Sequence, residues 1–471
     1  MNKTKVVASI GPESYRSGIL EDMVVSGADV IRLNTSYSDY NFCKKVIAEL
    51  ELLNKKLNSS ISIMLDIEGP CVRTYKFKED KAFFKTGDKI RLYADNIIGD
   101  NTKFSVDYPD LLKDLHVHST FKFSSGVVLE VLELSLEFAV CEVVNGGMVE
   151  SFSKLELPDI MLKRKFVNKQ VKEDILFACE MNVDFLAISN VVSSENILEI
   201  NDLLIELNNN NTLVIAKIQN SMAASDIEAI INVSEGIIVA RNDLAITIPI
   251  EDIPIVKHDI IKKCINNGKI SIVSADLESF LNEKSVPSRS EVSDLVNTVF
   301  SGVDAIMLSS ETTIGNYPTE AIKQVERIIN TAEKNVDYEY FFESISKSSM
   351  KNIAGTIASG SIHMAITLSA KAIVVATDNG FSARQISRFR PYAPIIAIVP
   401  NDDVAKSLNL YFGVIAVVIS DYDFETLTSK AVLVASKILN LNDGDKIIVV
   451  GGYPFNKNKN NNFILVNEIR G

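Results

Sequence analysis

Lys217 stands in the run TLVIAKIQN with apolar neighbours on both sides. An ammonium in such surroundings is expensive to bury unless it is paired or functional. Arg32, Asn34 and Ser36 alternate along IRLNTS, so all three project to one side of a strand. Asp66 closes a third run, ISIMLDIEG, and Asp243 closes a fourth, GIIVARND. A lone arginine at a strand end is ordinarily a surface or structural ion pair, and a buried lysine has the same bland explanation. The spacing of Arg32 and the presence of Asp66 favour a shared site instead. Arginine and lysine gathered in one place would handle a small anionic substrate, even in a chain whose overall charge is negative.

Eight short apolar runs must position these residues, and each ends in polar or charged groups. They are VVASIG from Val6, DVIRLNTS from Asp29, ISIMLDIEG from Ile61, DFLAISN from Asp184, TLVIAKIQN from Thr212, GIIVARND from Gly236, KISIVSAD from Lys269 and DAIMLSSE from Asp304. Each is Val/Ile/Leu-rich and too short for a helix, and most precede a segment with helical spacing. That is the pattern of strands buried on both faces of a parallel sheet. Eight such units predict a closed (β/α)8 TIM barrel, whose chemistry lies at the strand C-termini. NYPTEAIKQVERIINTAEK is the amphipathic helix expected to close it.

Between the third and fourth runs the pattern changes. KIRLYA, VVLEVLEL and FAVCEVV alternate, with turn residues between them, which predicts a small β-rich domain inserted in a barrel loop as a lid. After the barrel, AIVVAT, PIIAIV, VIAVVI and KIIVVGG alternate with helical segments, predicting an open, mostly parallel α/β sheet. The expected division is residues 1–70 and 159–336 for the barrel, 71–158 for the lid and 337–471 for the C-terminal domain. Asn208–Asn211 and NKNKNNN from Asn456 read as surface loops. His116 and His118 read as a solvated strand face rather than a metal pair.

A formal charge of −13 and a pI near 5.0 argue against nucleic acid or an anionic membrane surface as the main partner. Five scattered cysteines without a CxxC pair read as reduced thiols. No apolar stretch is long enough for a membrane span or a signal peptide, so a cytoplasmic location is expected.

With the strand ends aligned, the chain resembles pyruvate kinase along nearly all its length. The motifs that carry the resemblance are TKVVASIGP, IRLNTS, LDIEGP, VIAKIQN, GIIVARNDL, SRSEVSDLVNTVFSGVDAIMLSSET, YPTEA and AIVVATDNGFSARQISRFRP. The resemblance implies a barrel, a β-barrel lid, a C-terminal effector-type domain and a homotetramer. It implies transfer of the phosphoryl group of phosphoenolpyruvate to ADP, giving pyruvate and ATP. It assigns Arg32 to substrate phosphate, and Asn34, Ser36, Asp66 and the carbonyl of Ile67 to K⁺. Lys217 would stabilise charge on the transferring phosphoryl and enolate oxygens. Asp243, with Gln219 beside it, would hold Mg²⁺ (or Mn²⁺). Asn242, Asp243 and Ala275 fall where the substrate carboxylate binds, and Ser274 near the hydroxyl of the proton-delivery step. Arg73 matches the nucleotide-phosphate arginine, and Lys169 lies one residue from the lysine expected near the lid hinge.

The chain departs from the family pattern around this pocket. Gln219 replaces a glutamate, Asn242 a glycine, Ile67 a threonine and Glu68 a lysine. Ser274-Ala275-Asp276 stands for Ala-Thr-Gln, with the following stretch one residue shorter. Cys71 holds the position where Glu or Lys sorts cation dependence, and Ser124-Ser125-Gly126 replaces Asp-Asp-Gly. Together these remove negative charge for metals and positive charge for nucleotide, while the substrate-phosphate side persists. The expected activity is a pyruvate kinase with a weakened metal site. A catalytically impaired partner of another pyruvate kinase is the alternative, and other chemistry on phosphoenolpyruvate or pyruvate is a third reading. In the C-terminal domain, Thr377-Asp378-Asn379-Gly380-Phe381-Ser382 resembles the family's effector phosphate loop. Asp378 and the absence of the later glycine-rich segment predict lost or altered control by sugar phosphates.

Overall fold

The structure, a computed structural model, describes residues 2–12, 14–158, 160, 162–281, 286–348, 352–419, 423–452 and 461–469. All eight apolar runs are strands: β1 (Lys5–Ser9), β2 (Val30–Asn34), β3 (Ser62–Ile67), β4 (Phe185–Ile188), β5 (Leu213–Ile218), β6 (Gly236–Val239), β7 (Ile270–Ser274) and β8 (Ala305–Leu308). They pair in parallel and close into one barrel in sequence order, with β1 joining β2 on one side and β8 on the other. Their residues are almost wholly buried, because helices cover the outside and side chains fill the inside. The helix Pro318–Glu333 begins with proline in its first turn and packs its apolar stripe on β1.

The inserted segment has a core of its own, centred on Phe77, Phe84, Phe104 and Phe121. Its seven-stranded sheet has Val72–Arg73 at one edge and Lys103–Ser105 at the other. The two edges meet: Tyr75 N–H donates to the Ser105 carbonyl at 2.7 Å and Asp107 N–H to the Arg73 carbonyl at 2.9 Å. The sheet therefore curls back on itself, as expected for a small barrel. The chain enters past Gly69, where a Cβ would stand 2.2 Å from the Ser189 carbonyl, so only glycine fits there. Asn190 Nδ2 holds the Gly69 carbonyl at 2.9 Å. Entry and exit then run side by side, Val72 opposite Leu155 and Arg73 opposite Lys154.

The four C-terminal runs are parallel strands, Val414–Val418, Ile395–Val399, Ala372–Ala376 and Lys446–Gly451. A fifth, Phe463–Glu468, adds antiparallel beside Lys446–Gly451 and was not anticipated. This sheet sits at the N-terminal ends of the barrel strands. Arg390 reaches the Gly302 carbonyl at 2.7 Å and Asp304 Oδ2 at 2.6 Å, just before β8. Asn208–Asn211 is a loop, as expected, closed by the Asn209 side chain. NKNKNNN lies outside the described residues as far as Asn460. His116 and His118 do not lie on a strand face. They occupy the turn before Thr120–Phe123, with His118 at φ 74°, and their rings face Ser119 and Glu130. No helix among the described residues is long and apolar enough to cross a membrane.

Candidate active site at the C-terminal mouth of the barrel

Asp66, at the end of β3, is the centre of the buried half. It is 1% exposed and accepts Arg32 Nε at 2.8 Å, Arg32 NH2 at 2.7 Å and Lys217 Nζ at 3.0 Å. Ser189, just beyond β4, donates to its other oxygen at 3.0 Å and accepts from Lys217 at 2.7 Å. The remaining arm of Arg32 reaches Ser9 Oγ at 2.7 Å and Ser309 Oγ at 3.2 Å. Residues from the ends of β1, β2, β3, β4, β5 and β8 thus meet at one point. Burial opposes ionisation of Asp66, but Lys217 and Arg32 outweigh it and hold the carboxyl below its usual range. Two cations share one carboxylate, so the cluster carries a net positive charge out of water, ready for an anion.

Glu311 fixes the rim beside it. Its buried carboxylate accepts Ser309 N–H at 2.8 Å and Leu277 N–H at 2.9 Å, tying the loops after β7 and β8 together. That burial raises its pKa.

The other half of the mouth is more exposed. Gln219 Nε2 donates to Asp243 Oδ2 at 2.6 Å, while its oxygen accepts Asn190 N–H at 2.7 Å. Flipping the amide would set oxygen against carboxylate and NH2 against N–H, so this orientation is the only favourable one. For a divalent ion the local donor set is thus one carboxylate, with Gln219's oxygen already engaged. This fits magnesium, which takes one or two carboxylates and completes its shell from substrate oxygens and water. No cluster of three or more His, Cys, Asp or Glu residues suited to a metal occurs among the described residues.

The four oxygens nominated for K⁺ differ in availability. Asn34 Oδ1 accepts Ser36 N–H at 2.9 Å, and Ser36 Oγ is exposed. The Asp66 carboxylate is taken up by the cations above. The Ile67 side chain is buried in the core, and its carbonyl accepts Ser189 N–H at 3.0 Å. These four make an all-oxygen set, with Asn34 and Ser36 on its open side, which suits a hard cation such as K⁺.

Ser274 ends β7, and its carbonyl accepts Arg241 NH2 at 2.9 Å. Ala275 stays in the ladder, donating to the Met307 carbonyl at 2.8 Å. Asn242 Nδ2 donates to Asp276 at 2.9 Å, and Arg241 pairs with both Asp276 and Asp294. Burial raises the pKa of Asp276, although Arg241 opposes it. Arg73, on the lid's first strand, is held by Glu68 at 2.5 Å. Lys169 begins the helix Lys169–Glu180, where its side chain is 91% exposed and 3.8 Å from Glu173, apart from the cluster around Asp66.

Within the Asp66 cluster three members were not singled out from the sequence: Ser9, Ser189 and Ser309. Each directly follows or ends a predicted strand, the signal that could have found them. The Glu68–Arg73 pair had no such signal.

The closed barrel, its mouth of basic groups around one buried carboxylate, the β lid and the α/β appendage define a multidomain barrel protein with an anion-binding site at its strand ends. The comparisons make this specific. Residues 1–322 match the pyruvate kinase barrel domain and residues 355–467 the pyruvate kinase alpha/beta domain. A pyruvate kinase of Clostridium perfringens is 34% identical over the whole of both chains. One of Bacillus licheniformis is 35% identical over 96% of this chain and 78% of its own. A crystal structure of a pyruvate kinase from Cryptosporidium parvum superposes with a TM-score of 0.93, at 29% identity, covering 99% of this chain and 96% of its own. The chain belongs to the pyruvate kinase family.

Proposed function

We propose that this chain transfers the phosphoryl group of phosphoenolpyruvate to ADP at the barrel mouth, giving pyruvate and ATP. The observation that carries the reading is the cluster in which Arg32 and Lys217 share the buried Asp66. Phosphoryl transfer asks for positioning and charge neutralisation rather than covalent help, and this cluster offers both. Arg32 binds the substrate phosphate, and Lys217 faces the oxygens on which charge develops. The substrate carboxylate lies at the start of the helix Arg241–Thr247, against Asn242, Asp243 and Ala275. Ser274 is the nearest hydroxyl on β7 for the proton-delivery step. Arg73 takes nucleotide phosphate, and Lys169 comes to it only if the hinge segment moves.

Mg²⁺ (or Mn²⁺) would be held by Asp243 with Gln219 alongside, and would supply positive charge against the charge that develops in phosphoryl transfer. K⁺ would sit among Asn34, Ser36, Asp66 and the Ile67 carbonyl. Gln219 steadies the Asp243 carboxylate and turns its oxygen to the metal only by releasing Asn190 N–H. The functional divisions are residues 1–70 and 159–336, 71–158 and 337–471. The five cysteines are all free, which supports a cytoplasmic setting. A homotetramer is the assembly that the family implies.

The test is formation of pyruvate and ATP from phosphoenolpyruvate and ADP at high K⁺, with Mg²⁺ or Mn²⁺ titrated upward. Turnover should rise with metal and fall by about a thousandfold in Lys217→Ala, as expected for removal of a main electrostatic contact. No turnover at any metal concentration would refute the proposal.

A further inference from the structure

Glu68 occupies a position between two sites that no motif connects. It follows β3 by one residue, and its two oxygens are turned in opposite directions. Oε1 holds Arg73 NH2 at 2.5 Å and accepts the Cys71 thiol at 3.3 Å. Oε2 lies 3.4 Å from Ser36 Oγ, whose backbone N–H is in turn bound by Asn34 Oδ1. One carboxylate therefore touches both the nucleotide arginine and the rim of the cation site. The side chains of Glu68 and Arg73 are 30% and 35% exposed, so the pair is reachable by solvent and by ligands. A pair of this kind is weak enough to be exchanged.

We infer that Glu68 couples monovalent-cation binding to nucleotide binding, by releasing Arg73 when a cation beside Ser36 draws its carboxylate away. The inference rests on the placement of K⁺ at Asn34 and Ser36 and of nucleotide phosphate at Arg73 proposed above. Without a cation, Glu68 neutralises Arg73 and competes with the phosphate for its guanidinium. With a cation beside Ser36, the carboxylate gains a partner of its own, and the NH2 arm of Arg73 is freed for phosphate while NH1 stays on the Phe152 carbonyl at 3.2 Å. Because the coupling is thermodynamic it is reciprocal, and ADP must raise cation affinity by the same factor. A lysine at position 68 could not act in this way, since it would repel both the cation and Arg73.

The test is calorimetric titration of ADP into the full-length protein at fixed Mg²⁺, in K⁺ and in tetramethylammonium. In the wild type, K⁺ should tighten ADP binding by roughly fivefold, the low end for coupled sites. Glu68→Gln should bind ADP in tetramethylammonium as tightly as the wild type does in K⁺, with the K⁺ effect gone. Glu68→Lys should also lose the K⁺ effect, and it serves if E68Q fails to fold. An E68Q protein that keeps the wild-type K⁺ effect overturns the inference while leaving both sites standing. An unchanged ADP affinity in Arg73→Ala, or an unchanged K⁺ effect in Ser36→Ala, would instead show that the underlying site assignment is wrong, and the inference falls with it.

Discussion

The two halves of the barrel mouth are built by different rules. Around Asp66 the side chains of Arg32, Lys217, Ser9 and Ser189 satisfy one another, and four strands beyond β2 and β3 contribute. Around Asp243 and Arg73 the groups other than the buried Gln219 are partly exposed, and they satisfy one another: Gln219 with Asp243, Asn242 with Asp276, Glu68 with Arg73. The departures from the pattern that the resemblance implies fall mostly in the second half, with Ile67 the exception in the first. The burial of charge in the first half accounts for the difference. Replacing one member of a desolvated ion cluster strands the others in low dielectric, whereas at a wet rim a new side chain finds water or a neighbour.

The largest effect should come from breaking the buried half. Asp66→Asn leaves Arg32 and Lys217 facing each other without a counter-charge, and stability should fall by about 3–5 kcal/mol. The folded-state pKa of Asp66 lies below its unfolded value of about 4. Its contribution is therefore full above that pH and is lost as pH falls through the folded value. Denaturant unfolding of wild type and D66N across acid pH should show the two curves converging at the low end. A constant gap would mean that Asp66 is not charged in the native state.

A smaller effect should follow from restoring the exposed half. Gln219→Glu adds a second carboxylate next to Asp243, and Mn²⁺ affinity, read by electron paramagnetic resonance, should rise about tenfold. No gain would mean that the metal does not bind between these residues. The smallest change is Asp276→Asn, which removes a negative charge 2.9 Å from Asn242. The KM for phosphoenolpyruvate should drop by roughly threefold, the scale of one screened charge at a rim. A rise would show that Asp276 instead orders Asn242 and Arg241 for the substrate.

The same contrast governed what could be read from the residues alone. Strands buried on both faces leave an uninterrupted apolar signature, so all eight barrel strands were predictable. Arg32, Asp66 and Lys217 stood out because charge inside such runs is rare. Ser9, Ser189 and Ser309 did not, since a serine after a strand is commonplace and its partner is fixed only in three dimensions. The antiparallel strand Phe463–Glu468 follows a polar asparagine run and is only half buried, so its pattern is faint. The Glu68–Arg73 contact depends on how the chain turns between β3 and the lid, which short-range pattern does not encode. Lys169 lies one residue from the position that the resemblance implies. In the fold it begins a solvent-facing helix.

The way the chain crosses into the lid has a mechanical consequence. Gly69 is pressed against the Ser189 carbonyl and tied by Asn190, and just beyond it the outgoing and returning chains form a two-strand ribbon at Val72–Leu155 and Arg73–Lys154. The ribbon fixes Arg73 beside the barrel, at the root of the inserted domain. A residue at the root of a domain is displaced less by any change in that domain's angle than one at its far edge.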